Sequence, residues 1–522
     1  MKQFSQWFAK WQSKSSTQPT PGGQVLIKHK GQVLFQENFG YADLEHQILI
    51  NDDTPFHVAS VSKQFTVMAV LLLAEEGLLK LDDPIQNYFP ETLKIEERIS
   101  IRQLCNNVSG LRDQWELFML AGDRIDDTLT QADALEVIAR QKGLNFPPQS
   151  HYMYSNSNFT LLATLVEKLT GQSFNDFLTE NIFQPLGMTH SRIKENYYDL
   201  IPNRSLSYYD TFQGEFLHHV LNYGTYGATS LHTTAHDLAK WLDNFRTLKI
   251  GSADLIKTML TVPTLTDLQE ETSYAGGLFV GQLEGHSYFE HSGVDAGYRA
   301  QILSFIEDQL DIIILANVPN LPIGQIAFNI ARQILDLPIT DHQEMYLKEK
   351  NTGNISLDYT GVYYYQTKDG SPNLIRIKEA QNQVTIQGEY TDIPLEKIDS
   401  SLYRIPYSNQ LIDFSTLTLI SAKSQDSLQV LQTCQKTDLP QGQSLGDYYS
   451  PELETIYSLV EVAGHIEIRH RRNGQEPLYK ISDTSWAFGQ LEGYQIEWEN
   501  QGFKLSASRS RNIQFIKCEL PK

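Results

Sequence analysis

The sequence predicts an α/β (α+β) domain, built from an antiparallel sheet and a helical region, followed by two small antiparallel β-barrel domains. Three observations carry that prediction. Up to about Pro338, short strand-like runs such as Val25-Leu26-Ile27 and Gln32-Val33-Leu34-Phe35 alternate with long helical patterns such as Phe65 to Leu79. Beyond Pro338 helical periodicity disappears, and short β-rich segments punctuated by Asn, Asp, Gly and Ser take over. This second part also repeats itself. Gly361-Val362-Tyr363-Tyr364 recurs as Gly446-Asp447-Tyr448-Tyr449, Pro394 to Ile398 recurs as Pro477 to Ile481, and Ile412-Asp413-Phe414 parallels Ile496-Glu497-Trp498. The offset stays nearly constant, as expected of two homologous β units.

Taken in order, Phe4, Trp7, Phe8 and Trp11 recur at helical spacing and predict an amphipathic helix packing on the first domain. Ala300 to Phe305 and Asp311 to Ala316 read as adjacent antiparallel strands joined by a turn around Glu307-Asp308, and a helix from Ile323 to Leu335 closes the domain. The expected domains are 1–345, 352–437 and 445–522, with the polar stretch Lys436 to Gln443 linking the two barrels. Each β unit is of a size that closes into a small barrel and so hides its edge strands.

Composition narrows the function classes. A length of 522 residues calls for several cores, and 41% apolar with 11% aromatic residues is ordinary for a folded chain. The formal net charge of −21 argues against nucleic acid or an anionic membrane as partner, and is compatible with plain solubility or with attraction of cationic substrates. Cys105, Cys434 and Cys518 are far apart and lack C-x-x-C spacing, so neither a disulfide framework nor a zinc ribbon is expected. The 14 histidines form no H-E-x-x-H pattern, and no metal or cofactor is expected. No apolar h-region follows Met1-Lys2, and the longest largely apolar run, Phe65 to Ala74, is about half of a membrane span. The expectation is a cytoplasmic protein without stable membrane insertion, or a periplasmic one if a leader preceded this sequence.

Three short motifs carry chemistry. Ser60-Val61-Ser62-Lys63 opens an apolar helix, which sets the hydroxyl and the amine on one face and puts the backbone N–H groups of a helix start beside Ser60. Tyr154-Ser155-Asn156 precedes the helical pattern Phe159 to Leu169. A phenol such as that of Tyr154 acts as a base only beside a cation, which Lys63 would supply, while the Asn156 amide can bond both Lys63 and a substrate carbonyl. His291-Ser292-Gly293 follows a strand-like run, and a glycine in an edge strand lets another backbone approach. Singly, these read as a helix cap, a buried tyrosine and a structural histidine.

In the order S-x-x-K, Y-x-N, H-x-G, the three motifs resemble those of the class C β-lactamase and penicillin-recognising serine hydrolases. Ile101 to Leu104 with Ser109-Gly110-Leu111, Pro185 to Met188, and Thr233 to Leu238 before Trp241 extend the resemblance over roughly the first two thirds of the chain. The resemblance implies a β-lactamase-like catalytic domain in which Ser60 is the nucleophile, Lys63 and Tyr154 exchange its proton, and Asn156 and His291 complete the catalytic set. It further implies an oxyanion hole from the backbone N–H groups of Ser60 and Val294, and substrate binding along Ser292 and Gly293. Where class C β-lactamases and many carboxypeptidases carry lysine, this chain has His291, only partly charged near neutral pH. That feature, and a hydrolase domain followed by two barrels, resemble D-aminopeptidases and some esterases of the superfamily. Asn107-Val108 is a second departure, standing where relatives often have His-Thr.

The function implied is hydrolysis of amide or ester bonds in a small molecule or short peptide through a Ser60 acyl-enzyme, D-aminopeptidase-like or esterase-like. The alternatives are a D,D-carboxypeptidase or β-lactamase, and a penicillin-binding sensor that acylates without turning over. A homo-oligomer stays open. Asp483 and Glu492, in the second β unit, are candidates for an acidic gate that binds a substrate ammonium.

Overall fold

The computed structural model describes residues 19–338 except 213, and 359–518 except 368–369, 381–382, 389–391, 407–409, 422–427, 437–442 and 491. The helix expected around Phe4 to Trp11 and most of the expected linker lie outside these residues. The chain divides into two compact units, Met1–Leu111 with Ile125–Ala139 and Phe146–Ile339, and Arg112–Arg124 with Arg140–Asn145 and Thr340–Lys522. Two short excursions from the stretch expected to form the first domain thus group with the second unit. Among the described residues, no helix is long and apolar enough to cross a membrane.

The first unit is built on a six-stranded antiparallel sheet. Its strands are β1 (Gly23–His29), β2 (Gln32–Phe39), β3 (Phe279–Leu283), β4 (His286–Asp295), β5 (Tyr298–Phe305) and β6 (Leu310–Ala316), in the order β3-β4-β5-β6-β1-β2. The strands expected at Ala300 to Phe305 and Asp311 to Ala316 are β5 and β6, joined by the predicted turn, where Gln309 takes φ 53°. β6 is buried along its whole length because both faces of the sheet are covered. Successive residues point to opposite faces. Ile312 and Ile314 pack with Ile330 and Ala331 of helix Ile323–Ile334. Tyr288 meets Phe328 of that helix at 5.2 Å between ring centres, whereas its neighbour Phe289 stacks at 4.4 Å on Phe245 of helix Ala235–Thr247, on the other face.

The helix that carries Lys63 runs over Lys63–Glu75 and is buried along most of its length. The pattern Phe65 to Leu79 predicts a longer helix, but Gly77 turns left-handed at φ 79°. There the Leu78 N–H reaches the Leu73 carbonyl at 3.0 Å and the Gly77 N–H reaches Ala74 at 3.1 Å, the paired bonds of a Schellman stop. Trp241, fully buried, fixes this helix from the side: its ring lies 4.3 Å from that of Phe65 and its Nε1 donates to Gln64 Oε1 at 2.6 Å.

In the second unit the sequence repeat is a structural one. Gly361–Gln366, Pro372–Ala380, Gln383–Ile386 and Ile393–Pro394 pair in succession, as do Gly446–Ser450, Thr455–Val462, His465–His470 and Gly474–Pro477. Each repeat closes on its own first strand, through Val362 opposite Cys434 and Asp447 opposite Cys518. The barrels are not separate sheets, because Gln432–Lys436 continues past its own closure to pair with Tyr479–Lys480, Gln435 opposite Lys480. This unit also takes in helix Gln114–Ala121. Arg112, only 5% exposed, anchors that excursion through Glu452 Oε2 at 2.6 Å, Gln141 Oε1 at 2.8 Å and the Arg511 carbonyl at 2.9 Å.

Candidate active site

Ser60 stands in a single 3-10 turn, Ala59–Ser62, that runs directly into the Lys63 helix. The turn is strained at its first residue. Ala59 takes φ 47°, a left-handed conformation unfavourable for a side chain with a Cβ. Side-chain bonds hold it there, with Ala59 N–H donating to His57 Nδ1 at 3.2 Å and Ser62 Oγ donating to the Ala59 carbonyl at 2.6 Å.

Lys63 is fully buried, and its Nζ lies 3.2 Å from Ser60 Oγ, 2.8 Å from Asn156 Oδ1 and 2.7 Å from the Ala228 carbonyl. Both amide oxygens only accept, so each orients an N–H bond of Lys63, and the Ser60 hydroxyl lies within reach of the same nitrogen. The ammonium also lies 4.7 Å from the centre of the Tyr154 ring, a cation–π distance. The first two motifs are therefore brought together as expected, with Asn156 opening helix Asn156–Thr170.

His291, on β4, completes the cluster, its ring centre 6.2 Å from that of Tyr154. Burial first, and the Lys63 charge second, push its pKa down to about 3. It is therefore neutral at physiological pH, where the sequence alone suggested a partly charged group. Its Nδ1 lies 2.6 Å from the Ser292 carbonyl, which only accepts, so Nδ1 carries the proton. Nε2 is then an acceptor, 3.3 Å from the hydroxyl of Tyr274, whose own pKa burial raises well above the usual phenol range.

β3 covers β4 only as far as Phe279 opposite Glu290, leaving His291 to Asp295 as an edge. Gly293 is required there by close approach, since a Cβ would overlap the Val58 carbonyl just ahead of the Ser60 turn. Ser292 is exposed and Val294 is 62% exposed on the same edge. At its end the Asp295 carboxylate accepts from Tyr223 Oη and, at 3.4 Å, from Thr229 Oγ1, and lies 3.9 Å from His57 Nε2. Burial lifts the Asp295 pKa to about 6, with Tyr223 and Thr229 opposing the rise.

Some contributors have weak sequence signals. The Asn107 that departs from the family pattern has a role in the fold: at φ 55° and fully buried, its Oδ1 accepts from Ser155 N–H at 3.1 Å and Asn158 Nδ2 at 2.7 Å, and its carbonyl accepts from Met153 N–H at 3.1 Å. It thereby suspends the loop bearing Tyr154. Tyr274 had one possible cue, the Gly276-Gly277 pair after it, where a Cβ on Gly277 would crowd the Lys63 carbonyl. Asp483, an expected gate, is exposed and paired with Lys480 at 2.8 Å, while the side chain of Glu492 lies outside the described residues. Asp43, Glu45 and His46 bring three potential metal-ligand atoms together at the surface, apart from the motifs above.

The Beta-lactamase family model matches residues 8–333. The chain belongs to the beta-lactamase family. As a member of it, the protein is a serine hydrolase. Among curated proteins it is similar to a D-aminopeptidase of Brucella anthropi, 27% identical over 475 residues that cover 89% of this chain and 86% of the relative. A second D-aminopeptidase of that species is 31% identical over 327 residues, 62% of this chain and 60% of the relative. In fold, this beta-lactamase-family chain is similar to the octameric penicillin-binding protein homologue from Pyrococcus abyssi, with TM-score 0.57, 20% identity, and coverage of 91% of this chain and 98% of that one.

Proposed function

We propose that the chain hydrolyses the amide bond of D-amino-acid amides or short peptides with a free D-amino-acid N-terminus, through an acyl-enzyme on Ser60. The observation that carries this reading is the buried Lys63 amine, set between Ser60 Oγ and Asn156 Oδ1 beside a neutral His291. Ser60 Oγ attacks the carbonyl carbon while its proton passes to the Lys63 and Tyr154 pair. The Ser60 and Val294 N–H groups receive the negative charge of the tetrahedral oxygen. That intermediate collapses as the proton is returned to the leaving amine, leaving the acyl ester. Water then gives a proton to the same pair and attacks the ester, and as this second intermediate collapses the pair returns that proton to Ser60 Oγ and the acid is released. With Nε2 of His291 taken by Tyr274, proton transfer is assigned to Lys63 and Tyr154, and His291 is assigned the task of shaping the edge along Ser292 and Gly293.

A neutral histidine supplies no fixed cation for a substrate carboxylate, which weighs against D,D-carboxypeptidation and β-lactam hydrolysis as the main task. Similarity to D-aminopeptidases along most of the chain supports the amide reading. The test is a steady-state panel of D- and L-amino-acid amides, short acyl esters, peptidoglycan-like peptides and a β-lactam, with Ser60→Ala as control. The expected outcome is preference for the D-amides, with turnover lowered at least about 10²-fold in Ser60→Ala. Preference for the L-amides or the β-lactam overturns it. One equivalent of product followed by arrest marks a sensor instead. Residence in the cytoplasm and assembly into a homo-oligomer belong to the same proposal, and are read by cell fractionation and sedimentation velocity.

A further inference from the structure

Beside His57, within the first unit, lies a cavity of about 60 Å³, lined by Lys194, Arg204, His57, His232 and Tyr298 among others, with no carboxylate in its wall, Asp295 standing behind Tyr223 and His57. In a chain with 63 acidic and 42 basic residues, that is an unusual lining. Lys194 is only 6% exposed. Among the described residues, neither Lys194 nor Arg204 has a carboxylate within ion-pair distance. Arg204 is half-buried, and a cation as little exposed as Lys194 is normally paired, because an unpaired one gives up part of its hydration without recovering it. The one carboxylate whose charge is felt at Lys194 is Asp199, and it is already committed: its Oδ2 accepts the backbone N–H groups of Glu195 at 3.1 Å and Asn196 at 2.9 Å.

Burial and the two cations act together on the neighbours. Burial first and Arg204 second push the Lys194 pKa down to about 8. Burial, then Lys194, then Arg204 push that of His57 down to about 3. His232 is driven well below the histidine range, by burial first, then His57, then Arg204. A single negative charge at this point would oppose the part of each shift that the two cations cause. Ser207, Ser230 and Tyr298 add hydroxyls to the lining, and the volume exceeds what one water needs.

We propose that this cavity is a binding site for a small monovalent anion, a halide or a short carboxylate, held between Lys194 and Arg204. The anion supplies the counter-charge that the protein omits. It sits behind His57, whose Nδ1 holds the Ala59 N–H ahead of Ser60, so its occupancy steadies the strained turn. The site does not depend on which bond Ser60 cleaves.

The test uses the full chain in gluconate buffer, titrated with sodium chloride while the ³⁵Cl linewidth is followed, and separately with sodium acetate by calorimetry. Saturable chloride broadening is expected in the wild type, and each of Lys194→Gln and Arg204→Gln should raise the chloride dissociation constant about tenfold or more. Arg204→Lys, which keeps the charge, should retain most of the binding and guards against a variant that fails to fold. Acetate that removes the broadening assigns the site to carboxylates as well as halides, and acetate that does not assigns it to halides. The proposal falls if neither chloride nor acetate saturates the wild type, or if both Gln variants bind as the wild type does.

Discussion

Asn107 holds the loop that brings Tyr154 to Lys63, through one side-chain oxygen that accepts from Ser155 N–H and Asn158 Nδ2. Asn107→Ala is expected to strand two buried donors, costing about 1–3 kcal/mol of stability. It should also lower kcat about 10²-fold with less change in KM, read by steady-state kinetics beside chemical unfolding. The sequence marked Asn107 as a departure and nothing more, since its partners lie about fifty positions away. Ser60, Lys63, Tyr154 and His291 were legible as residue types in order, but the charge of His291 was not, because burial belongs to the fold. That charge has a measurable consequence. For His57 and His291 the unfolded value of 6.5 falls to about 3 on folding, so between these limits only the unfolded chain takes up the proton. Their contribution to stability is complete above pH 6.5 and is lost as the pH falls toward 3, at about 1.4 kcal/mol per pH unit per group. Asp295 runs the other way: raised from 3.8 to about 6, it favours the folded state at low pH and offsets one histidine between those values. Calorimetry from pH 8 to 4 should show the Tm falling below pH 6.5, and falling less steeply in His291→Gln.

At the scale of the element, the site depends on one strand passing close to one turn. Gly293→Ala would drive β4 away from the Val58 carbonyl, and with it the Val294 N–H that is proposed as an oxyanion donor. Loss of one oxyanion donor is worth about 10²–10³-fold in kcat, and a drop of that order with KM little changed is the expected result of steady-state assays. An unchanged kcat would remove β4 from the oxyanion hole. The helix behind Ser60 and the strand pair β5 and β6 were readable because their apolar periods, 3.6 and 2, are written in consecutive residues. The free edge at His291 was expected from a glycine, but its cause is that β3 stops at Phe279, a matter of pairing that no local pattern records.

For the molecule as a whole, the duplicated β unit was visible as a nearly constant offset between like segments, and the first four strands of each copy pair in the same succession. The pairing of Gln435 with Lys480 that joins the copies was not visible, since it is made by a strand outrunning its own barrel. Nor were the excursions that place Arg112 beside Glu452. Glu452→Ala leaves a nearly buried guanidinium short of its acid, and is expected to destabilise the second unit by about 3–5 kcal/mol, seen as an earlier unfolding transition in denaturant. This pairing spans 340 positions, and it sets a timetable for biosynthesis. At about 5–20 residues per second, the helix Gln114–Ala121 leaves the ribosome roughly 20–70 s before Tyr457 and Asn473, whose side chains donate to its Leu120 and Met119 carbonyls. Through that interval the closing turn of the helix lacks the side-chain donors that the finished fold gives it, so the excursion takes its final form only after the second β unit has been made.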